Sequence, residues 1–106
     1  MSERVLLALS TFPDAETARR IARQLVSENL VACANIIERV ESIYQWQNKI
    51  EKGQETLVFF KTTASRYAIF QDRLKSLHPY EVPEIISLDI ASGLPAYLQW
   101  VTENTS

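Results

Sequence analysis

The chain has 106 residues, 46% hydrophobic and 23% charged, the composition of a single folded domain covering 1–106. Eleven Lys and Arg against 13 Asp and Glu leave a net charge of −2 and a pI near 5.4, so no broad positive field draws it to nucleic acid or to an anionic membrane. Two glycines, one cysteine and one histidine exclude a dinucleotide fingerprint, a phosphate-cradling glycine loop and an internal disulfide. No nucleotide cofactor is expected.

Met1–Arg4 lead into an apolar run, Val5–Leu9, too short for a signal-peptide core or a bilayer span; a cytoplasmic location is expected. The run lacks alternation and predicts a strand buried on both faces, with Ser10–Pro13 turning the chain. Asp14 is a helix cap, and Ala18, Ile21, Ala22, Leu25 and Val26 follow at the spacing of one helical face, with Arg19, Arg20, Arg23 and Gln24 toward solvent. Ala34 to about Thr62 predicts two long strands, Val40, Ile43, Tyr44 and Trp46 in the first and Leu57–Phe60 in the second, turning over Asn48–Gly53. A first arm of roughly 12 residues at about 3.4 Å each spans roughly 40 Å, against a radius of gyration of about 13 Å for a domain this size. Part of this ribbon must project, and its apolar residues then call for a partner copy.

A second helix starts near Thr63–Ser65, carries Tyr67, Phe70, Leu74 and Leu77 as a stripe, and ends before Pro79. Ile86, Leu88 and Ile90 alternate with Ser87 and Asp89 in a last strand. Leu94, Leu98 and Val101 give a closing helix with Pro95 in its first turn. The order βαββαβα predicts an α+β fold, a ferredoxin-like βαββαβ sandwich with an extra C-terminal helix.

The segment His78-Pro79-Tyr80-Glu81-Val82-Pro83-Glu84 is stiffened by two prolines and carries imidazole, phenol and carboxylates, so it is either a shaped site or a plain helix stop. His78 is a candidate metal ligand, the alternative being a cap on the second helix. Cys33, between two alanines, reads as a structural packing cysteine; metal ligation is the alternative, but one Cys and one His per chain cannot close a four-ligand site. The sole histidine has no nucleophile at recognisable spacing, which argues against a hydrolase triad. Tyr44, Trp46 and Trp100 are expected interface anchors.

That proline-rich segment, with Leu30-Val31-Ala32-Cys33-Ala34-Asn35-Ile36-Ile37, Ser42-Ile43-Tyr44-Gln45-Trp46, Lys61-Thr62-Thr63 and Tyr97-Leu98-Gln99-Trp100, resembles the CutA divalent-cation-tolerance family from Val5 to Val101. The resemblance implies a cytoplasmic, non-enzymatic homotrimer shaped like the PII signalling proteins, linked to copper or another divalent metal ion. It places Lys61, Tyr80, Glu81 and Glu84 around a cleft between subunits, as an ion pair or as a seat for a small anion. Copper-binding members are expected to add a second histidine before His78 and a cysteine at the end of the first strand. Here those positions hold Leu77 and Ser10. A PII-like signalling or adaptor trimer, taking a small ligand or protein in its clefts, is the competing expectation.

Overall fold

A computed structural model describes residues 3–106. They run β1 (Val5–Phe12), α1 (Ala15–Ser27), β2 (Cys33–Trp46), β3 (Lys49–Thr63), α2 (Tyr67–Leu77), β4 (Ile86–Asp89) and α3 (Pro95–Glu103). One antiparallel sheet joins the strands in the order β2-β3-β1-β4, the ferredoxin-like arrangement the sequence predicts. The Asp14 carboxylate accepts the Thr17 N–H at 2.7 Å and so starts α1.

The chain turns in different places from those expected. Ser10, Thr11 and Phe12 continue β1, paired with Val58, Leu57 and Thr56, so the turn expected over Ser10–Pro13 begins only at Pro13. Two polar residues hid an inward-facing Phe12 that is fully buried. The long hairpin reverses at Gln47 and Asn48, φ 50° and 65°, rather than over Asn48–Gly53. Two left-handed residues form the tight turn whose twist matches that of the flanking strands, and Lys49–Gly53 are thereby free to pair. Thr63 ends β3, and α2 begins at Tyr67 without a side-chain cap.

The α1 and α2 helices cover one face of the sheet. Ile21, Leu25, Phe70 and Leu74 pack there on Ala8, Phe12, Val58 and Phe60. A two-bond contact from Arg73 to Glu28, 2.9 Å at each bond, ties α2 to α1. On the opposite face α3 covers only one end, where Val101 meets Val5 and Ala32. By strand alternation the rest of that face carries Leu7, Leu9, Leu57, Phe59, Ile37 and Leu88, so β1 is fully buried on one side only, a correction to the two-sided burial expected.

A β-bulge extends this face. Between Ile37 and Val40, β2 carries an extra residue opposite Thr56, with Arg39 at φ 62°. One inserted residue reverses the alternation, which brings Val40, Tyr44 and Trp46 to the same side as Ile37. The ribbon then runs out of the body, and the described residues together extend 47 × 26 × 22 Å. Near its tip Trp46 is 62% and Ile50 80% exposed. No helix among the described residues is long and apolar enough to cross a membrane.

Candidate functional site

The site residues fall into two groups. The first lies at the base of the ribbon. His78 ends α2, donating its backbone N–H to the Leu74 carbonyl at 2.9 Å, while its ring stacks on Phe12 with centroids 4.6 Å apart. Nε2 lies 2.8 Å from the Thr11 carbonyl, and Nδ1 lies 3.1 Å from the Tyr80 N–H. A carbonyl only accepts and an amide N–H only donates, so both bonds require the neutral ring with its proton on Nε2. Burial pulls the imidazole pKa below its ordinary value; the Thr11 carbonyl and the Glu55 charge oppose that shift without cancelling it. The Tyr80 hydroxyl donates to Glu55 at 2.8 Å, and burial first, then that bond, raise its pKa.

The second group sits on the uncovered sheet face, toward the end that α3 covers. Lys61 stands directly across from Cys33 in the β2–β3 ladder and across from Leu7 in β1. Its ammonium donates to the Asn35 side-chain carbonyl. Cys33 is partly exposed, and its Sγ lies 3.6 Å from the Tyr97 hydroxyl, whose pKa is pushed up to about 12 by that contact first and by burial second. Trp100 stacks on Tyr97 at 5.7 Å.

Within one chain the structure does not unite Lys61 with Tyr80, Glu81 and Glu84. Glu55, the partner of Tyr80, lies six residues along β3 from Lys61, roughly 20 Å at about 3.4 Å per residue. Glu81 and Glu84 are exposed and make no ion pair among the described residues. Trp46 stands apart near the ribbon tip. Glu55, Asn35 and Tyr97 enter these groups without having been singled out. Tyr97 had a signal in its three-residue spacing from Trp100 on a helix, whereas Glu55 and Asn35 depend on strand register.

The donor set around His78 does not fit a closed metal site. Both ring nitrogens are engaged, Ser10 is buried in β1, and Leu77 packs against the core. Among the described residues no group of three or more His, Cys, Asp or Glu is placed to share a metal ion. Among the described residues no hydroxyl or thiol is hydrogen-bonded to the imidazole. A surface groove of about 500 Å³ between α1 and β2, beside Arg19 and Arg23, touches neither group.

Fold and face together define a ferredoxin-like α+β protein with a projecting ribbon and an apolar sheet face that α3 covers only at one end. Residues 6–104 match the family described as CutA1 divalent ion tolerance protein. The chain is 48% identical over 99 residues to the divalent-cation tolerance protein CutA of Thermus thermophilus, covering 93% of this chain and 96% of that one. A solved Thermus thermophilus structure of the divalent cation tolerance protein superimposes with a TM-score of 0.94 at 46% identity, over 96% of this chain and 99% of the other. The structure from Archaeoglobus fulgidus, described as a periplasmic divalent cation tolerance protein CutA, gives a TM-score of 0.93 at 33% identity over 96% and 99%. The chain spans little more than half the length of the human and mouse relatives it matches. It belongs to the CutA1 divalent ion tolerance family.

Proposed function

We propose that the chain acts as a cytoplasmic, non-enzymatic homotrimer in tolerance to copper or another divalent cation. The uncovered apolar face carries this reading. Leu7, Leu9, Leu57, Phe59, Ile37 and Leu88 continue through the bulge to Val40, Tyr44 and Trp46, and a stable monomer rarely leaves so continuous an apolar surface in water. Trp100 and Tyr97, exposed on α3, extend the same surface. Obligate interfaces of this type bury about 2,000 Å² or more and make folding inseparable from assembly. Light scattering should return three times the 12.1 kDa chain mass at micromolar concentration. A 12.1 kDa particle would overturn the reading.

Copper held at His78 would have to displace the Tyr80 N–H from Nδ1 or the Thr11 carbonyl from the Nε2 proton, so binding there is weak. Calorimetric titration of wild type and His78→Ala tests it. Wild-type affinity should fall as pH drops through the imidazole pKa, which burial holds below the ordinary 6.5, because protonation removes the donor lone pair. Equal binding by the two proteins would place the metal elsewhere. The competing reading is a PII-like adaptor trimer that takes a small ligand or a protein in its clefts. A protein partner that co-purifies in place of metal would support it.

A further inference from the structure

The groove between α1 and β2 lies on the helix side of the sheet, away from the apolar face. Arg19, Ala22, Arg23 and Val26 recur at i, i+3, i+4 and i+7 on α1 and look across it to Ala34 and Ile36 of β2. Because β2 is an edge strand, the groove opens at the edge of the molecule, while Glu28 on the other flank of α1 holds Arg73 of α2. Its floor is apolar, with Val26 38% exposed, and its rim is positive. Arg19 is shared with Glu38 at 3.2 Å, whereas Arg23 has no ion pair among the described residues.

The segment from Glu81 to Glu84 carries the opposite pattern. Tyr80 is pinned by its bonds to His78 and Glu55, and Ile85 packs against the core, so the residues between them form a short arch held at both ends. Pro83 stiffens it further. Val82 is 87% exposed, the most exposed large hydrophobic side chain among the described residues. Glu81 and Glu84 on either side of it are exposed and unpaired there. An apolar tip between two carboxylates thus matches an apolar floor between two guanidinium groups, and an arch already held in shape loses little freedom on docking.

We propose that the Glu81–Glu84 arch of one copy of this chain docks in the α1–β2 groove of the next, with Val82 seated on the apolar floor and the two carboxylates on the arginine rim. The arch leads into β4, and β4 and β2 are the two edges of the sheet, three strand spacings or roughly 14 Å apart at about 4.8 Å each, so a chain's own arch does not fill its own groove. Two different patches make the contact, and such heterologous contacts close into rings or run on as filaments, never as two-fold dimers. The next copy then meets β2 from both sides, its arch on the helix side and its body on the apolar face. The rim pairs are solvent-exposed and contribute little each, so burial of Val82 supplies the affinity and the charges set the register. This docking rests on the trimer reading, adds to it the element that orders the copies around the ring, and gives Glu81 and Glu84 a partner other than Lys61.

Cross-linking and charge reversal in the full-length chain test it together. In a Cys33→Ser background, the Val26→Cys, Val82→Cys double variant should give, on mild oxidation, non-reducing gel bands at two and three chain masses, and neither cysteine alone should. Arg23→Glu, and Glu81→Arg combined with Glu84→Arg, should each weaken the assembly constant about tenfold or more, since a ring repeats the repelling contact three times. All three substitutions together should recover most of that loss. Assembly is read by light scattering across a urea series at one chain concentration. A missing cross-link, no loss from either reversal, or losses that add in the combined variant would overturn the proposal. So would rescue of the arch reversal by Lys61→Glu in place of Arg23→Glu, which would return the carboxylates to the sheet face. A wild type that scatters as a trimer while the cross-link fails refutes the arch alone, whereas a 12.1 kDa wild type removes the trimer reading with it.

Discussion

Replacing His78 with Phe separates the stacking role of the ring from its hydrogen bonds. A phenyl ring can keep the stacked position 4.6 Å from Phe12, but it removes the 2.8 Å bond to the Thr11 carbonyl and the 3.1 Å bond to the Tyr80 N–H. His78 is only 8% exposed, so water reaches the abandoned groups poorly. A buried backbone group left unsatisfied costs about 1–3 kcal/mol, and since Tyr80 is half-exposed and recovers part of its loss, the total should be about 2–4 kcal/mol per chain. With about 4–8 °C of Tm per kcal/mol for a domain near this size, melting should drop by about 10 °C or more. The melting curves must be recorded at one fixed chain concentration, because assembly and folding are coupled. Acid adds a second readout. Burial holds the folded imidazole pKa below the 6.5 of the free side chain, so the unfolded chain takes up the proton more readily. The stability tied to a neutral His78 is therefore complete above about pH 6.5 and is lost as pH falls through the lower folded value. His78→Phe should lack that part of the acid dependence. Melting within about 2 °C of wild type near neutral pH, with the same loss on acidification, would refute the reasoning.

The remaining predictions concern one residue each. Ser10 is fully buried with its hydroxyl unpartnered, so Ser10→Ala should raise the urea midpoint with an unchanged slope, a gain of about 1 kcal/mol; a lower midpoint would show that the hydroxyl is satisfied. Gln47 holds a φ of 50°, which a long side chain adopts at a cost that asparagine reduces, so Gln47→Asn should stabilise the fold by about 0.5–1 kcal/mol and raise Tm by a few degrees. No change in Tm would assign that turn a different conformation in solution. Trp46→Ala should shift the assembly toward smaller species on dilution, seen by light scattering, and lower Tm. Identical dilution behaviour would leave Trp46 as a solvent-facing residue of the ribbon tip.

The order of elements was legible because helical and strand periods are local. Asp14 before the Ala18, Ile21, Ala22, Leu25 stripe marks α1 in any context, since capping and burial of one face act over a few residues. The overlong ribbon could be read from extended length alone, and the motifs from Leu30 to Trp100 carried the family. Turn positions were less legible. Ser10 looks like a turn residue until it pairs with Val58, and Gln47 becomes a turn residue only because the register of Trp46 against Lys49 leaves two residues between the strands. The bulge at Arg39 has no local signature, yet it decides that Tyr44 and Trp46 share a side with Ile37.

The sites lie further from the reach of sequence. His78 was visible as the lone imidazole beside a proline, but what occupies its two nitrogens depends on Thr11, 67 residues away, and on the fold of the following turn. Lys61 was visible as a lysine at the end of a strand. That it lies about 20 Å from the Glu55–Tyr80 pair and bonds to Asn35 instead follows from strand register, a long-range quantity fixed by the packing of whole faces. Composition and period thus determined which segments form helices and strands and which of their faces are apolar. Only the tertiary structure decided which charges meet, because contacts between distant segments depend on how the sheet closes and leave no periodic trace in the chain.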